Sequence, residues 1–180
     1  MQALKFPAET ARLKFRAWTS ADLEPYARMN ADPEVMEFFP APMSEEETKA
    51  HISRIGQQFH EKGFGLYAVE EKSSGNFIGF IGFSVPRFES FFTPCVEIGW
   101  RLRKESWGMG YATEGALACL QFGNGLEGMD RIYSWTAVLN RKSERIMQKI
   151  GMKFVTQFDH PLLKADSPLR PHVLYVYESE

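Results

Sequence analysis

The sequence has little cysteine, no excess of positive charge and no long apolar run, and each shortage excludes a class of protein. Cys95 and Cys119 are its only cysteines, too few for a disulfide-stabilised scaffold, so a reduced, cytoplasmic protein is expected. Lys plus Arg total 21 against 23 for Asp plus Glu, and a nucleic-acid binder would need a basic surface. No run of about 18 apolar residues exists to span a membrane. Residues 1–18 also lack the apolar core of a signal peptide.

The composition is that of a folded protein with a substantial core. Of the 180 residues, 44% are hydrophobic and 14% aromatic, which is enough apolar surface to offset the entropy of ordering the chain. The length matches one domain, and we expect residues 1–180 to form a single one.

Strand and helix patterns alternate along the chain, which favours an α/β or α+β layered fold. Helix starts are predicted at 19–22, at Asp32-Pro33 and at Ser44, where a capping box with Glu47 begins a helix that ends at Gly63. Further helices are predicted at 111–122 and 143–150. Strands are predicted at 10–18, 65–71, 76–85, 95–103, 131–139, 152–158 and 172–177.

A glycine-rich turn stands between the strand at 95–103 and the helix at 111–122. Gly108 and Gly110, followed by Ala112, would let a ligand approach the backbone, and the free amides of a helix start favour a phosphate. A tight connection without a ligand is the alternative. The turn lacks the G-K-[ST] of a P-loop and the G-x-G-x-x-G of a dinucleotide fold.

A second segment of interest begins about thirty residues later, with Asn140 and Ser143. Asn140 follows a strand and precedes a helix, so it is expected either to cap that helix or to line a ligand site.

Three motifs in order resemble the GNAT acetyltransferase superfamily, and in particular its RimJ/RimL-type branch. They are E-I-G-W-R-L at 97–102, W-G-M-G-Y-A-T-E at 107–114, and N-R-K-S followed by M-x-K-I-G-M at 140–152. The detailed match covers residues 95–154.

The resemblance implies a mixed, mostly antiparallel sheet of about seven strands flanked by about four helices and splayed between strands 4 and 5. It implies that acetyl-CoA lies in the splay as a co-substrate. The backbone of Trp100 and Leu102 would pair with the pantetheine, while Asn140 and Ser143 would line the opposite wall. The pyrophosphate side would be formed by the turn and the helix start: Trp107, Gly108, Gly110, Tyr111, Ala112 and Thr113.

The implied activity is N-acetyl transfer to a primary amine, either a protein N-terminal α-amine or a small amine, by direct attack in a ternary complex. A non-catalytic CoA-binding domain is the alternative. By analogy the chain could also form a homodimer, although no self-complementary stripe in the sequence shows one.

One position departs from the superfamily pattern. Glu105 stands where the superfamily often has Gln or Arg, three residues before the first glycine of the turn, and we expect it to point outward. Arg103, Lys104 or Arg141 could supply the missing cation.

Glu97 is the first candidate for the general base, because strand alternation separates it from the apolar residues Val96 and Ile98. Its alternative is a surface carboxylate or a sheet salt bridge. Ser143 is the candidate to protonate, or donate a hydrogen bond to, the departing sulfur. His160, His172 or water are alternatives for moving the amine proton, although both histidines more simply fit loop structure. No Cys/His pair has ligand spacing, so no metal is expected.

Two aromatic and acidic loops, 36–40 and 88–92, lie where the family places the acceptor. They are expected either to contact the acceptor or simply to cover the sheet. Their surroundings suit a cationic acceptor because of six glutamates: Glu34, Glu37, Glu45, Glu46, Glu47 and Glu89.

Overall fold

A computed structural model describes residues 5–179. It contains seven strands and four α-helices, in the order β1 (Leu13–Arg16), α1 (Leu23–Ala31), α2 (Glu45–Lys62), β2 (Leu66–Glu71), β3 (Asn76–Ser84), β4 (Val96–Leu102), α3 (Tyr111–Gly123), β5 (Arg131–Ala137), α4 (Arg141–Lys149), β6 (Lys153–Asp159) and β7 (Pro171–Glu178). Short 3-10 helices precede α1 at Ser20–Asp22 and follow β4 at Lys104–Ser106. No helix within residues 5–179 is long and apolar enough to cross a membrane.

The strands form one sheet in the order β1-β2-β3-β4-β5-β7-β6. Every neighbouring pair is antiparallel except β4 and β5, which are parallel and pair only through Val96 with Ile132 and Glu97 with Tyr133. The two strands therefore separate after Glu97. The predicted mixed sheet and its splay between strands 4 and 5 are confirmed.

Helices cover the two faces of the sheet and decide what each side of β4 contacts. Helix α3 packs closely on one face, since a Cβ built on Gly115 would meet Ile81 Cδ1 at 2.3 Å. Helices α1 and α2 lie on the other face, where Tyr26 and His51 contact the Phe80 ring. Because side chains alternate along a strand, the apolar side of β4 faces α3. The side with Glu97, Gly99 and Arg101 faces α1 and α2.

The segment after α1 corrects one prediction. The sequence predicts a helix start at Asp32-Pro33, but residues 33–38 form hydrogen-bonded turns instead. Asp32 ends α1 with an extended ψ of 117°, as the residue before a proline usually does. Pro40 and Pro42 then prevent the turns from continuing as a helix. The segment therefore crosses the sheet as an irregular loop.

The remaining boundaries agree with the sequence to within three residues, the largest difference being the start of β1 at Leu13 rather than at residue 10. Ser44 and Glu47 form the predicted capping box, and Gly63 ends α2 with a φ of 76°. Strand β5 ends at Ala137 rather than at residue 139, because the amide of Asn140 turns back to the Ala137 carbonyl.

Candidate active site

The separation of β4 from β5 opens a gap in the middle of the sheet. Residues 98–102 of β4 remain paired with β3 on one side but have no β5 partner on the other. The unpaired edge of a strand is a place where an extended chain with amide groups can bind as an additional strand. Trp100 and Leu102, predicted to bind pantetheine, lie on this unpaired stretch.

The glycine turn lies at the wide end of the gap. Gly108 and Gly110 have φ values of 73° and 81°, a left-handed conformation that other residues adopt only with strain. No atom lies within 4 Å of a Cβ built on Gly108. Gly110 begins α3 without a side-chain cap, so the first amides of the helix can bind an anion. Ala112 and Thr113, in that first turn, have small side chains.

Side chains on both sides hold the turn in place. The Trp107 indole donates to the Leu102 carbonyl at 2.9 Å, which ties the turn to the end of β4. Lys142, on α4, places Nζ 4.8 Å from the centre of the Trp107 ring, across the gap. The Tyr111 hydroxyl donates to Glu71 at 2.5 Å, so its ring points toward β2. Trp107 and Tyr111 therefore support the turn through their side chains.

Each of the three cations proposed from the sequence has a partner of its own, and Arg103 is the one among them that pairs with no carboxylate of residues 5–179. The Arg103 Nε donates to Ser106 at 3.1 Å, Lys104 pairs with Glu34, and Arg141 pairs with Glu144 at 2.7 Å. Glu105 is exposed.

Two other cations lie beside the turn. The Arg12 guanidinium donates to the Met109 carbonyl at 2.8 Å and covers the Tyr111 ring at 4.6 Å. It also pairs with Glu114 at 2.5 Å. Lys142 is the second. Sequence spacing gave no sign of Arg12, which lies nearly one hundred positions from the turn.

Asn140 caps α4, as the sequence allows. Its side-chain oxygen accepts from the Ser143 amide at 3.2 Å, and its amide nitrogen donates to Thr136 at 3.0 Å. The cap thereby fixes the angle at which α4 leaves β5, the second wall of the gap. The half-buried Ser143 hydroxyl donates no hydrogen bond to any of residues 5–179.

Glu97 lies at the narrow end of the gap, on the last residue pair that joins β4 to β5. The Ser84 hydroxyl donates to its Oε2 at 2.7 Å. Burial raises the pKa of this carboxyl to about 7, and the Ser84 hydrogen bond opposes that rise only in part. A carboxylate with such a pKa can accept a proton near neutral pH.

His160 and His172 belong to an aromatic cluster over β5, β6 and β7. Their rings lie 5.0 Å apart, and Phe88 packs 4.8 Å from the His160 ring. His172 contacts the Arg170 carbonyl at 3.0 Å. Burial and the neighbouring His172 lower the pKa of His160 to about 4. Both rings are thus part of the packing, and Glu97 is better matched to neutral pH.

The two loops predicted to border the acceptor are each partly buried and partly exposed. Phe92 is buried against Trp135 and Phe158, whereas Phe91 is 69% exposed. In the other loop Met36 is buried and Phe39 is exposed. One aromatic of each loop therefore remains available to an acceptor.

Two residues of this face were missed by the sequence analysis. Arg101 has the pattern of an outward residue of a strand, yet its Nε is buried without a partner among residues 5–179. His51 has the pattern of a boundary residue of a helix, but it contacts the Tyr26 hydroxyl at 2.5 Å through Nδ1. Both environments are created by segments that pack over β4 and are distant from it in sequence, so the local pattern could not predict them.

Comparison with known proteins agrees with this geometry. The family described as "Acetyltransferase (GNAT) domain" matches residues 12–153. The chain is 30% identical over 166 residues to FsC-acetyl coenzyme A-N(2)-transacetylase of Aspergillus fumigatus, covering 88% of this chain and 68% of that protein.

Solved structures share the fold over nearly the whole chain. An acetyltransferase from Agrobacterium tumefaciens is 25% identical, with a TM-score of 0.76 and 99% of each chain covered. RimL, a ribosomal L7/L12 α-N-protein acetyltransferase solved in complex with coenzyme A, is 14% identical, with a TM-score of 0.77 and 97% and 98% covered.

Proposed function

The chain belongs to the GNAT acetyltransferase family, and from that premise we propose that it moves an acetyl group from acetyl-CoA to a primary amine. The observation that carries the proposal is the gap between β4 and β5, with the glycine turn at its wide end and Glu97 at its narrow end. The acceptor is a protein N-terminal α-amine or a small amine. The name of RimL, which shares this fold, gives a protein α-amine as its acceptor.

The residues of the gap fit the two ends of CoA. The backbone of residues 98–102 offers unpaired strand positions for the pantetheine amides, at Trp100 and Leu102. The amides of Gly110 to Thr113 are in position for the pyrophosphate, with Arg12 and Lys142 as nearby cations. Acetyl-CoA supplies the acetyl group as a thioester.

We assign Glu97 as the general base that takes the proton from the attacking amine. A neutral amine is needed for attack, and an α-amine, with a pKa near 8, gives up its proton at lower cost than a lysine, with a pKa near 10.4. The pKa of about 7 leaves much of the Glu97 population deprotonated at neutral pH. The bond from nitrogen to the acetyl carbon forms as the carbon–sulfur bond breaks.

Ser143 is assigned to the departing sulfur. Its amide is held by Asn140, and its hydroxyl is free to donate to a bound group. Thiols are stronger acids than alcohols, so we expect Ser143 to contribute a hydrogen bond rather than a full proton transfer. Asn140 acts by holding α4 in place.

Membership of the RimJ/RimL-like branch is part of the same proposal and rests on the motifs at 97–102, 107–114 and 140–152.

The first experiment is a thermal shift with acetyl-CoA, CoA and NAD, followed by thiol release with a panel of amines. A ligand that binds only the folded state raises the melting midpoint. We expect a shift with both CoA species, none with NAD, and free thiol only when an amine is present. A shift without thiol release from any amine would favour the non-catalytic alternative. No shift at saturating CoA would contradict the proposal.

A further inference from the structure

The face of β4 that contacts α1 and α2 carries Arg101, a half-buried residue whose Nε is fully buried. Arg101 donates through Nη1 to the Asn30 side-chain oxygen at 2.8 Å and contacts the Met43 sulfur at 3.7 Å. Its guanidinium also lies over the Phe39 ring at 4.2 Å. None of these three contacts neutralises its charge, and no carboxylate of residues 5–179 forms a salt bridge with it.

The unsatisfied donor matters because buried cations are normally paired. The Nε of Arg101 is buried and has no hydrogen-bond partner in the described part of the chain. An arginine fork carries five N–H groups in a plane that matches a carboxylate. The arrangement is therefore that of a half-formed ion pair, in which the anion is to be supplied from outside.

Two positive charges act on the groups beside Arg101. The pKa of nearby His51 is lowered to about 4 by burial and by the charges of Arg101 and Arg54. Of the six glutamates that the sequence places around the acceptor loops, Glu34 pairs with Lys104 and Glu45 pairs with Lys49. The other four form no ion pair among residues 5–179, with Arg101 or with any other cation: Glu37, Glu46, Glu47 and Glu89. The charge of Arg101 is therefore left for an anion from outside.

Arg101 and the proposed base lie on the same face of β4. Glu97, Gly99 and Arg101 alternate onto that face. A Cβ built on Gly99 would meet only Glu97 Oε1 among residues 5–179, at 3.9 Å, so Gly99 leaves room beside the base. The strand rises about 13 Å from Glu97 to Arg101, so a short acceptor reaches both when the two side chains cover part of that distance.

We propose that the acceptor carries a carboxylate several bonds away from its amine, and that Arg101 binds this carboxylate while the amine lies at Glu97. The inference rests on the proposed function, because it uses the acetyl-transfer site to place the amine. Amino acids with a side-chain or terminal amine, and short peptides, have this chemistry.

The test uses pairs of probes that differ only in charge: aminohexanoate with its amide, and glycylglycine with its amide. Two quantities are measured for each pair. The shift in melting midpoint is measured on the CoA-saturated protein, and kcat/KM for thiol release is measured at saturating acetyl-CoA without added CoA. We expect the acid to be preferred over its amide by about tenfold or more, the range of a charge-assisted hydrogen bond. Arg101→Gln should reduce the ratio to near one, whereas Arg101→Lys should retain part of it.

Arg54→Gln is the matched control, because it removes a positive charge from the same side of the sheet but from an exposed position. It should leave the preference for the acid intact. Acids and amides that behave alike in the wild type, or a preference that survives Arg101→Gln, would overturn the carboxylate proposal, while thiol release from either probe would keep acetyl transfer standing. Preferential binding of the acids with no thiol release would retain the Arg101 site and reject acetyl transfer. The wild-type comparison decides the matter even if Arg101→Gln does not fold.

Discussion

Glu97 and Glu71 are glutamates on strands of one sheet, yet the pKa values of their carboxyl groups move in opposite directions. Hydrogen bonds from Ser74 and Tyr111 lower the pKa of Glu71. Burial raises that of Glu97 to about 7, although Ser84 donates to it. The two carboxyl groups therefore suit different roles, since Glu71 holds the hydroxyl of Tyr111 and Glu97 can exchange a proton at neutral pH.

Glu97→Gln should remove the part of the pH dependence of catalysis that belongs to the enzyme's base. A general base works when deprotonated, so wild-type kcat/KM should rise with pH through about 7, the pKa of Glu97. The variant should lose about 10²–10⁴ in rate, and its profile should lose the inflection near 7 and keep only the rise set by the amine itself, whose pKa is near 8 for an α-amine. Thiol release from acetyl-CoA, measured from about pH 5.5 to 9 so as to bracket that pKa, checks both.

The exposed Glu105 provides the matched control for this substitution. Glu105→Gln should keep the wild-type rate and profile. An unchanged profile in Glu97→Gln would assign the base to water or to a histidine.

At the scale of elements, the start of α3 and the start of α4 form the two sides of the gap between β4 and β5 at its wide end. Helix α3 begins at Gly110 without a side-chain cap and leaves its first amides to a ligand. Helix α4 begins at Asn140, whose side chain satisfies the Ser143 amide. The start of α3 can therefore bind an anion, whereas the start of α4 is capped by its own side chain and forms one side of the gap.

Gly110→Ala should weaken CoA binding more than it weakens the fold. A left-handed φ of 81° costs a non-glycine residue about 1–2 kcal/mol, and relief of that strain would move the amides of the turn. We expect a smaller CoA-dependent rise in melting midpoint. Gly128→Ala is matched, because Gly128 has a φ of 79°, open space around its Cβ and a position in a different turn. An equal loss of CoA response in both variants would contradict a role for the turn in binding.

Asn140→Ala should lower both stability and CoA affinity. Loss of an N-cap costs about 1 kcal/mol, and here it also frees the wall formed by α4. Ser44→Ala removes the cap of α2, where the Glu47 amide is bound at 3.2 Å, and should cost similar stability with no effect on CoA. Chemical unfolding and CoA titration of the two variants separate the effects. If both variants bound CoA like the wild type, Asn140 would be a cap alone.

At the scale of the whole molecule, neutral histidines couple stability to pH. Burial lowers the pKa of His51, His160 and His172, so the unfolded chain takes up protons at a higher pH than the folded protein does. Their stabilising contribution is present above about pH 6.5 and is lost as pH falls below it. Glu97 acts in the opposite direction, because its raised pKa favours the folded state at low pH and that contribution is lost as pH rises through about 7.

His51→Gln should make the loss of stability on acidification less steep. The folded pKa of His51 is about 4, so its contribution disappears between pH 6.5 and 4. The measurement is the free energy of unfolding at several pH values in that range, in which the Glu97 contribution cancels between wild type and variant. His60→Gln, at an exposed position of the same helix, should follow the wild type. Parallel curves for His51→Gln and the wild type would contradict the assignment.

Local sequence patterns were sufficient to predict features that depend on contacts between residues close together in the sequence. The capping box at Ser44, the αL glycine at Gly63 and the glycine turn at 108–110 each depend on neighbouring residues, and each was predicted. The helix expected at Asp32-Pro33 failed because a start signal says nothing about the prolines that follow. Arg12, Arg101 and His51 were missed because their environments come from segments distant in sequence.

The sequence alone determined the order of strands and helices, the position of the turn and the family resemblance, because these depend on local periodicity, capping and motif spacing. The tertiary structure decided which charges are paired and which are not. It brought Arg12 to the turn, engaged Arg103, Lys104 and Arg141 elsewhere, and left the Arg101 Nε buried with no partner among residues 5–179. Solvation and ion pairing depend on what packs over a side chain, and packing is a property of the folded chain.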